Sequence, residues 1–203
     1  MGVGLRQYKN FDRYLNELIG DIYPQPPDPG HQAAIVDVAN KWLSSLVSLN
    51  SILDVGCGQG QAIPELQKHA TRVSGVTLGE DAVIAREAGY DIQIDDISFL
   101  SYEDESFDLI FARHTLEHSP MPLITLMEWH RVAIQWLCVI VPNLDAFGPS
   151  GRNHYYVLSS PQWANLLERS GWHIIWQEEY QMPDTPEPME YRFMCEKKRR
   201  IIL

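Results

Sequence analysis

Leu53-Asp54-Val55-Gly56-Cys57-Gly58-Gln59-Gly60 carries a short apolar strand straight into three glycines at alternate positions. In an open parallel sheet ligands bind beyond the carboxyl ends of the strands, and glycines there let the backbone turn sharply and approach a ligand that any Cβ would push away. The spacing narrows the ligand. A dinucleotide fingerprint places its third glycine three residues after the second, whereas Gly60 follows Gly58 by two, and no Lys-Ser/Thr pair follows to make an ATP phosphate loop. A plain strand-to-helix turn accounts for the same glycines, so the triplet alone does not decide the function. Asp54 is expected behind the loop, where it accepts backbone N–H groups or meets a ligand's ammonium.

Outward from this stretch, strands and helices alternate. Upstream, Ile35, Val38, Ala39, Trp42, Leu46 and Leu49 form one apolar helical stripe. Downstream the pattern predicts a helix to about residue 68, a strand over 72–76, a helix over 81–88 and strands over 92–94 and 107–112. A helix over 123–131 and a strand over 133–141, ended by Pro142-Asn143, follow. Ser160-Pro161 opens a helix holding Trp163, Leu166 and Leu167, and Gly171 closes it. The last two strands, 172–180 and 191–197, have only the Pro183 to Pro188 loop between them, which predicts one antiparallel strand at that end. The whole reads as a single α/β domain with a mainly parallel sheet covered on both faces. Residues 1–30 are set apart: Tyr8, Phe11, Tyr14, Leu15 and Leu18 predict an amphipathic helix lying on the body (31–203), and the proline-rich stretch from Tyr23 to Gly30 is read as non-helical.

Composition excludes several classes. With 203 residues, 45% hydrophobic and 21% charged, the chain has the makings of one globular core. Sixteen basic against 27 acidic residues give a net charge of −11, which repels phosphate backbones and disfavours nucleic acid as a partner. Cys57, Cys138 and Cys195 are too widely spaced for a zinc ribbon and are read as reduced thiols. No apolar run approaches the roughly 20 residues of a membrane span, and no basic-then-apolar leader opens the chain, so a cytoplasmic protein is expected.

The glycine strand resembles the first motif of class I S-adenosylmethionine-dependent methyltransferases, and the similarity continues in register from about Ser51 to Gly171. Asp104-Glu105-Ser106-Phe107-Asp108-Leu109-Ile110 resembles the family's acidic turn into strand four, and Leu116-Glu117-His118 the motif that often follows it. Glu128-x-x-Arg131-Val132 and Val141-Pro142-Asn143 resemble the approach to strand five and its end. The resemblance implies a Rossmann-like seven-stranded sheet of order 3-2-1-4-5-7-6, strand 7 antiparallel, with helices on both faces. It implies S-adenosylmethionine as cofactor, with Gly56, Cys57, Gly58 and Gly60 along its methionine and ribose parts and Asp54 near its amino group. By the same resemblance Asp96 and Ile97 read the adenine, Arg113 lies beside the methionine, and Thr77 with Leu78 holds the ribose. Two departures stand out. Thr77 occupies the place of the usual ribose-binding acid, and Ala133-Ile134-Gln135-Trp136 replaces the Pro-Gly-Gly turn that often precedes strand five.

Methyl transfer from a sulfonium needs alignment and exclusion of water rather than a protein nucleophile. An oxygen or nitrogen acceptor also benefits from a base or a metal. His114, His118 and His154 are the candidate bases, and His114-x-x-Glu117-His118, if helical, would gather two imidazoles and a carboxylate on one face as a divalent metal site. A similar E-x-x-E-H order is found in some quinone-pathway and small-RNA methyltransferases. The plain alternative is that His118 caps or packs its turn. Tyr8, Tyr14, Tyr155 and Tyr156 are candidate walls of the acceptor pocket. Trp42, Trp129, Trp136, Trp163 and Trp172 are expected in the core, the acids between Asp91 and Asp108 on a solvated edge, and Lys197 to Arg200 in solvent. No [DNS]-P-P-[YF] sequence or Pro-Cys nucleophile follows strand four, which disfavours DNA bases. The expected acceptor is an O or N atom of a small molecule, lipid precursor or sugar. The alternatives are a metal-dependent RNA 2′-O-methyltransferase and a non-catalytic cofactor-binding or regulatory subunit.

Overall fold

A computed structural model describes residues 27–46, 49–143, 146, 153–182 and 185–198. The predicted N-terminal helix with Tyr8 and Tyr14, and the Arg199-Arg200 pair, lie outside the described residues. The elements run α1 (Pro29–Lys41), β1 (Ser51–Val55), α2 (Ile63–Leu66), β2 (Arg72–Thr77), α3 (Gly79–Glu87), β3 (Asp91–Ile94) and β4 (Phe107–Arg113). Then come a 3-10 turn (Leu116–His118), α4 (Pro122–Val132), β5 (Ala133–Pro142), α5 (Ser160–Arg169), β6 (Trp172–Tyr180) and β7 (Glu190–Lys197). Seven strands form one sheet in the order β3-β2-β1-β4-β5-β7-β6. β7 runs antiparallel to both β5 and β6, while the pairs of β1, β2, β3, β4 and β5 are parallel.

β1 sits at the centre and all five of its residues are buried. Strand alternation divides its side chains between two cores. Leu53 and Val55 join Trp129, Trp163 and Trp172 on one face, and Ile52 joins Ile35, Val38 and Trp42 under α1 on the other. Trp136 is only partly buried against the second core. Among the described residues no helix is long and apolar enough to cross a membrane.

Several local readings need correction. The stretch ending at Gly30 is not wholly non-helical: α1 starts at Pro29, where a missing N–H and a fixed φ suit the first helical position, and Asp28 caps it by accepting from the His31 N–H at 2.9 Å. α2 is a single turn, because beyond it Lys68 and His69 donate three residues back, in 3-10 fashion. The missing Pro-Gly-Gly turn is not replaced at all. α4 passes directly into β5 at Ala133, and the Arg131 and Val132 carbonyls accept the Glu105 and Ser106 N–H groups at 2.9 and 2.8 Å. Lys197 is held rather than free in solvent, its Nζ donating to the Ala133 carbonyl at 2.7 Å. The acidic edge is likewise not simply solvated. Asp95 and Asp96 accept the Ser101 and Ser98 N–H groups at 2.6 and 2.7 Å, and Arg131 bonds the Leu100 and Tyr102 carbonyls at 3.0 and 2.7 Å. These bonds fix the segment between β3 and β4 that forms one wall of the site.

Candidate active site

A cavity of about 330 Å³ opens beyond the carboxyl ends of β1, β2 and β4, between the glycine loop, the start of α1 and the segment after β5. That size falls in the usual small-ligand range of about 300–1,000 Å³. Gly56, Gly58 and Gly60 all have left-handed backbones, with φ of 75°, 53° and 86°. The Gly56 and Cys57 N–H groups both donate to the Val76 carbonyl, at 2.8 and 3.0 Å, which lashes the loop to β2. A Cβ on Gly75 would lie 2.6 Å from Cys57 Sγ, so this strand glycine makes the room in which the Cys57 side chain sits. Burial pushes that thiol well up, so Cys57 is no nucleophile.

At the glycine end of the cavity, Asp54 is 3% exposed and its Oδ2 has no hydrogen-bond partner among the described residues. Burial pushes its carboxyl up to about 7. Arg113, from the end of β4, lines the same cavity and pairs with Glu190, yet its Nε has no partner among the described residues. Thr77 and Leu78, at the end of β2, form a second wall, and Asp96 and Ile97 a third. The residues expected around a cofactor therefore all fall at one end of the sheet, and all but Gly60 line the cavity directly. Gly60 stands behind it, where a Cβ would lie 2.6 Å from Tyr90.

The predicted metal set is rearranged. His114 takes a left-handed backbone with φ of 50°, and its Nε2 lies 3.0 Å from Glu190 Oε1, while its ring centroid is 5.6 Å from that of His31. Burial, reinforced by Arg113 and opposed by Glu190, lowers His114 to about 4. The expected helical face fails because Leu116–His118 is a 3-10 turn entered from this left-handed residue. His154 takes the vacated place: one ligand atom each of Glu117, His118 and His154 lie within 4.8 Å of one another.

Glu117 is fully buried, neither of its carboxylate oxygens has a hydrogen-bond partner among the described residues, its Oε1 lies 4.0 Å from His118 Nε2, and burial pushes it up to about 8. His118 Nδ1 is 2.9 Å from the Asn153 carbonyl. A carbonyl only accepts, so Nδ1 carries the proton and Nε2 keeps the lone pair, the tautomer of a histidine set to bind a metal or receive a proton. Burial lowers both His118 and His154. The Tyr155 and Tyr156 N–H groups donate to the Glu117 carbonyl at 2.9 and 3.2 Å, tying the segment after β5 to the turn after β4. Tyr155 lines the cavity; Tyr156 instead faces an apolar groove with Leu123 and Leu158.

Sequence reasoning missed Glu190, Arg192 and His31. Glu190 is fully buried and pairs with Arg113 and His114. Burial pushes the other way, but His114, Arg113 and Arg192 together hold its carboxyl well below the usual range. Arg192, also fully buried, bonds Asp37 of α1 at 2.6 Å and lies over the Tyr180 ring. A Glu-x-Arg pair at alternate positions, leading into the apolar run Phe193-Met194-Cys195, is the signal that was available.

Residues 53–135 match the family described as Methyltransferase domain. A ubiquinone biosynthesis O-methyltransferase of Coxiella burnetii is 32% identical over 91 residues, which cover 40% of this chain and 39% of that protein. The chain thus spans about two fifths of the length of this curated relative. A SAM-dependent methyltransferase from Archaeoglobus fulgidus superposes with a TM-score of 0.68 at 16% identity, over 82% of this chain and 94% of that one. A magnesium protoporphyrin IX methyltransferase from Synechocystis with bound SAH gives 0.64 at 19% identity, over 94% and 95%. These two likenesses show the fold. The strand order 3-2-1-4-5-7-6 with its antiparallel seventh strand is the Rossmann-like fold of these methyltransferases, and the segment from the glycine strand into β5 is similar to the methyltransferase domain family.

Proposed function

We propose that this cavity binds S-adenosylmethionine and that the chain, working in the cytosol, methylates an oxygen or nitrogen of a small-molecule, lipid-precursor or sugar acceptor. The observation that carries the reading is the pair of unsatisfied buried groups at the glycine end, Asp54 Oδ2 and Arg113 Nε. An unpaired buried polar group costs about 1–3 kcal/mol. An acceptor and a donor left open in one cavity match the ammonium and the carboxylate of an amino-acid moiety, so the residues present fit the cofactor. Asp96 and Ile97 would border the adenine, with the loop glycines beneath the sugar. When bound, the cofactor supplies an electrophilic methyl group on sulfur.

The chain's own residues supply the rest. The buried walls exclude water, and His31, His118 and His154 are all lowered by burial and so stay neutral near pH 7, able to receive an acceptor proton. Glu117, His118 and His154 would hold a divalent cation, which lowers the proton affinity of an acceptor hydroxyl. The Coxiella relative is named an O-methyltransferase, which supports oxygen over nitrogen. The net charge of −11 speaks against RNA as the acceptor.

Two arms test the metal. Chelation with EDTA and His118→Ala should each lower turnover of a hydroxyl acceptor by about 10–100-fold, the usual effect of disturbing a metal site. His114→Ala should leave the affinity for the added cation unchanged, as read by calorimetry with the metal alone. Turnover indifferent to EDTA removes the metal from the account and leaves the histidines as bases.

A further inference from the structure

The apolar groove faced by Tyr156 lies open among the described residues, while the sequence carries an apolar helix face that needs a surface. We propose that residues 8–18 dock as a helix in this groove, between α4 and the start of α5. Leu123 and Ile124 of α4, Tyr156, Leu158, and Leu166 of α5 line it, and its volume is about 790 Å³. Ile124 is 44% exposed, and Met127, one turn beyond Leu123 on the same face of α4, is 53% exposed. Large apolar side chains gathered in this way mark a surface made to be covered. Phe11, Tyr14, Leu15 and Leu18 follow Tyr8 by three, six, seven and ten positions, the stripe of a helix that buries one side.

The path of the chain brings the two together. Gln61 Nε2 donates to the carbonyl of Asp28, the cap of α1, at 2.6 Å, and His31 in the first turn of α1 lines the cavity. Pro120 and Tyr155 line the same cavity, and their neighbours Met121 and Tyr156 line the groove. The start of α1 and the groove are thus one cavity apart. Residues 19–26, with prolines at 24 and 26, reach about 25 Å when extended at roughly 3.1 Å each, more than a cavity of about 330 Å³ requires. A tether this short gives the segment an effective concentration of millimolar order, so even a weak groove takes it ahead of a partner present at micromolar level. Charge favours the same occupant. Residues 1–26 balance three basic side chains (Arg6, Lys9, Arg13) with three acidic ones (Asp12, Glu17, Asp21), whereas a second copy brings its own net charge of −11 against this one. Docking takes Tyr8 and Tyr14 into the groove instead of the acceptor-pocket wall, and residues 19–26 then run past the cavity between His31 and Tyr155.

The test treats the full chain carrying Asn16→Cys and Asn165→Cys with a short bismaleimide at low protein concentration. Asn165 lines the groove, and the native Cys57, Cys138 and Cys195 are buried, so the introduced pair reacts selectively. A cross-link within one chain should form about 10-fold faster, or more, than in a control carrying Asn16→Cys and Val83→Cys, where Val83 is exposed on α3. Hydrogen exchange supplies a second readout. Phe11→Asp together with Leu15→Asp should speed exchange over residues 121–127 and 158–166 by about 10-fold while leaving β1 and β4 unchanged. Equal cross-linking of the two pairs would overturn the proposal, as would exchange in the groove indifferent to the two aspartate substitutions. Cross-links that join two chains would overturn it as well and make the groove a contact between copies. Neither readout involves the cofactor, and both are independent of the methyltransferase reading.

Discussion

Gly56→Ala should strip the protein of cofactor binding and destabilise it by about 2–5 kcal/mol. Two effects add at this residue. A left-handed backbone with φ of 75° disfavours any Cβ, by about 1–2 kcal/mol. The new methyl would also lie 2.2 Å from Thr115 Oγ1, a clash of overpacking that typically costs about 1–3 kcal/mol. Thr115 has little freedom to yield: it is buried, and its hydroxyl is 3.1 Å from both the Val55 and the Arg113 carbonyls. The clash therefore travels into β1 and β4 together, the two strands that carry Asp54 and Arg113. A thermal melt should show the midpoint falling by roughly 5–20 °C, at about 2–4 °C per kcal/mol for a chain of this size. Thr115→Ala in the same chain should recover the clash component but not the backbone component. A Gly56→Ala protein that melts within a degree of wild type would refute the description of the loop.

Asp54 gives the second large effect, and it depends on pH. If its carboxylate meets the ligand ammonium, Asp54→Ala should cost about 2–5 kcal/mol of binding, or roughly 30- to 5,000-fold in affinity, because a buried charge loses its partner. In the free protein burial raises this carboxyl to about 7, so below that pH it must release a proton in order to bind. Affinity should then fall by close to tenfold for each pH unit below about 7, and this dependence should vanish in the alanine variant. The stability of the free protein follows the opposite course. A carboxyl raised above its unfolded value of about 3.9 holds an extra proton in the folded state, so its contribution is lost as pH rises from about 4 to 7. Glu117, raised to about 8, extends the same loss to pH 8. The lowered histidines act with opposite sign and only as pH falls through about 6.5 and below, His114 down to about 4. Between pH 7 and 8 the unfolded histidines are largely neutral, so melting temperatures there report mainly the carboxyls. Free wild type should lose stability across that window and Glu117→Gln should flatten much of the loss; a flat wild-type profile would contradict the buried, unpartnered state of these groups.

The parts of this molecule that sequence displays are those set by local rules. Alternating glycines that need positive φ, an all-apolar β1 apart from Ser51 and Asp54, and a last strand pair with no helix between them carry the α/β class, the antiparallel strand and the place of the site, while the sheet order came from the family resemblance. Rules of spacing failed where the backbone left its regular period. His114-x-x-Glu117-His118 shares a face only on an α-helix, and a left-handed His114 followed by a 3-10 turn sends His114 to Glu190 and brings His154 to Glu117 instead. The partners of Glu190 and Arg192 were hidden for a different reason. Arg113 and Asp37 are 77 and 155 residues away, brought together only by the antiparallel docking of β7 on β5 and the packing of α1. The absent Pro-Gly-Gly turn looked like a defect because a turn was assumed; carbonyls at the end of α4 find their partners in Glu105 and Ser106, so the chain needs none.

The most direct measurement is a calorimetric titration of the full chain with S-adenosylmethionine and S-adenosylhomocysteine at pH 8, where Asp54 is ionised. It is run with EDTA and with added divalent metal, beside Gly58→Arg and Asp54→Asn. The account predicts micromolar binding by wild type, lost in Gly58→Arg, where a long side chain would enter the cavity from a backbone with φ of 53°. It predicts a strong reduction in Asp54→Asn. A folded wild-type chain that binds neither compound under any of these conditions would contradict it, leaving the methyltransferase fold without a cofactor.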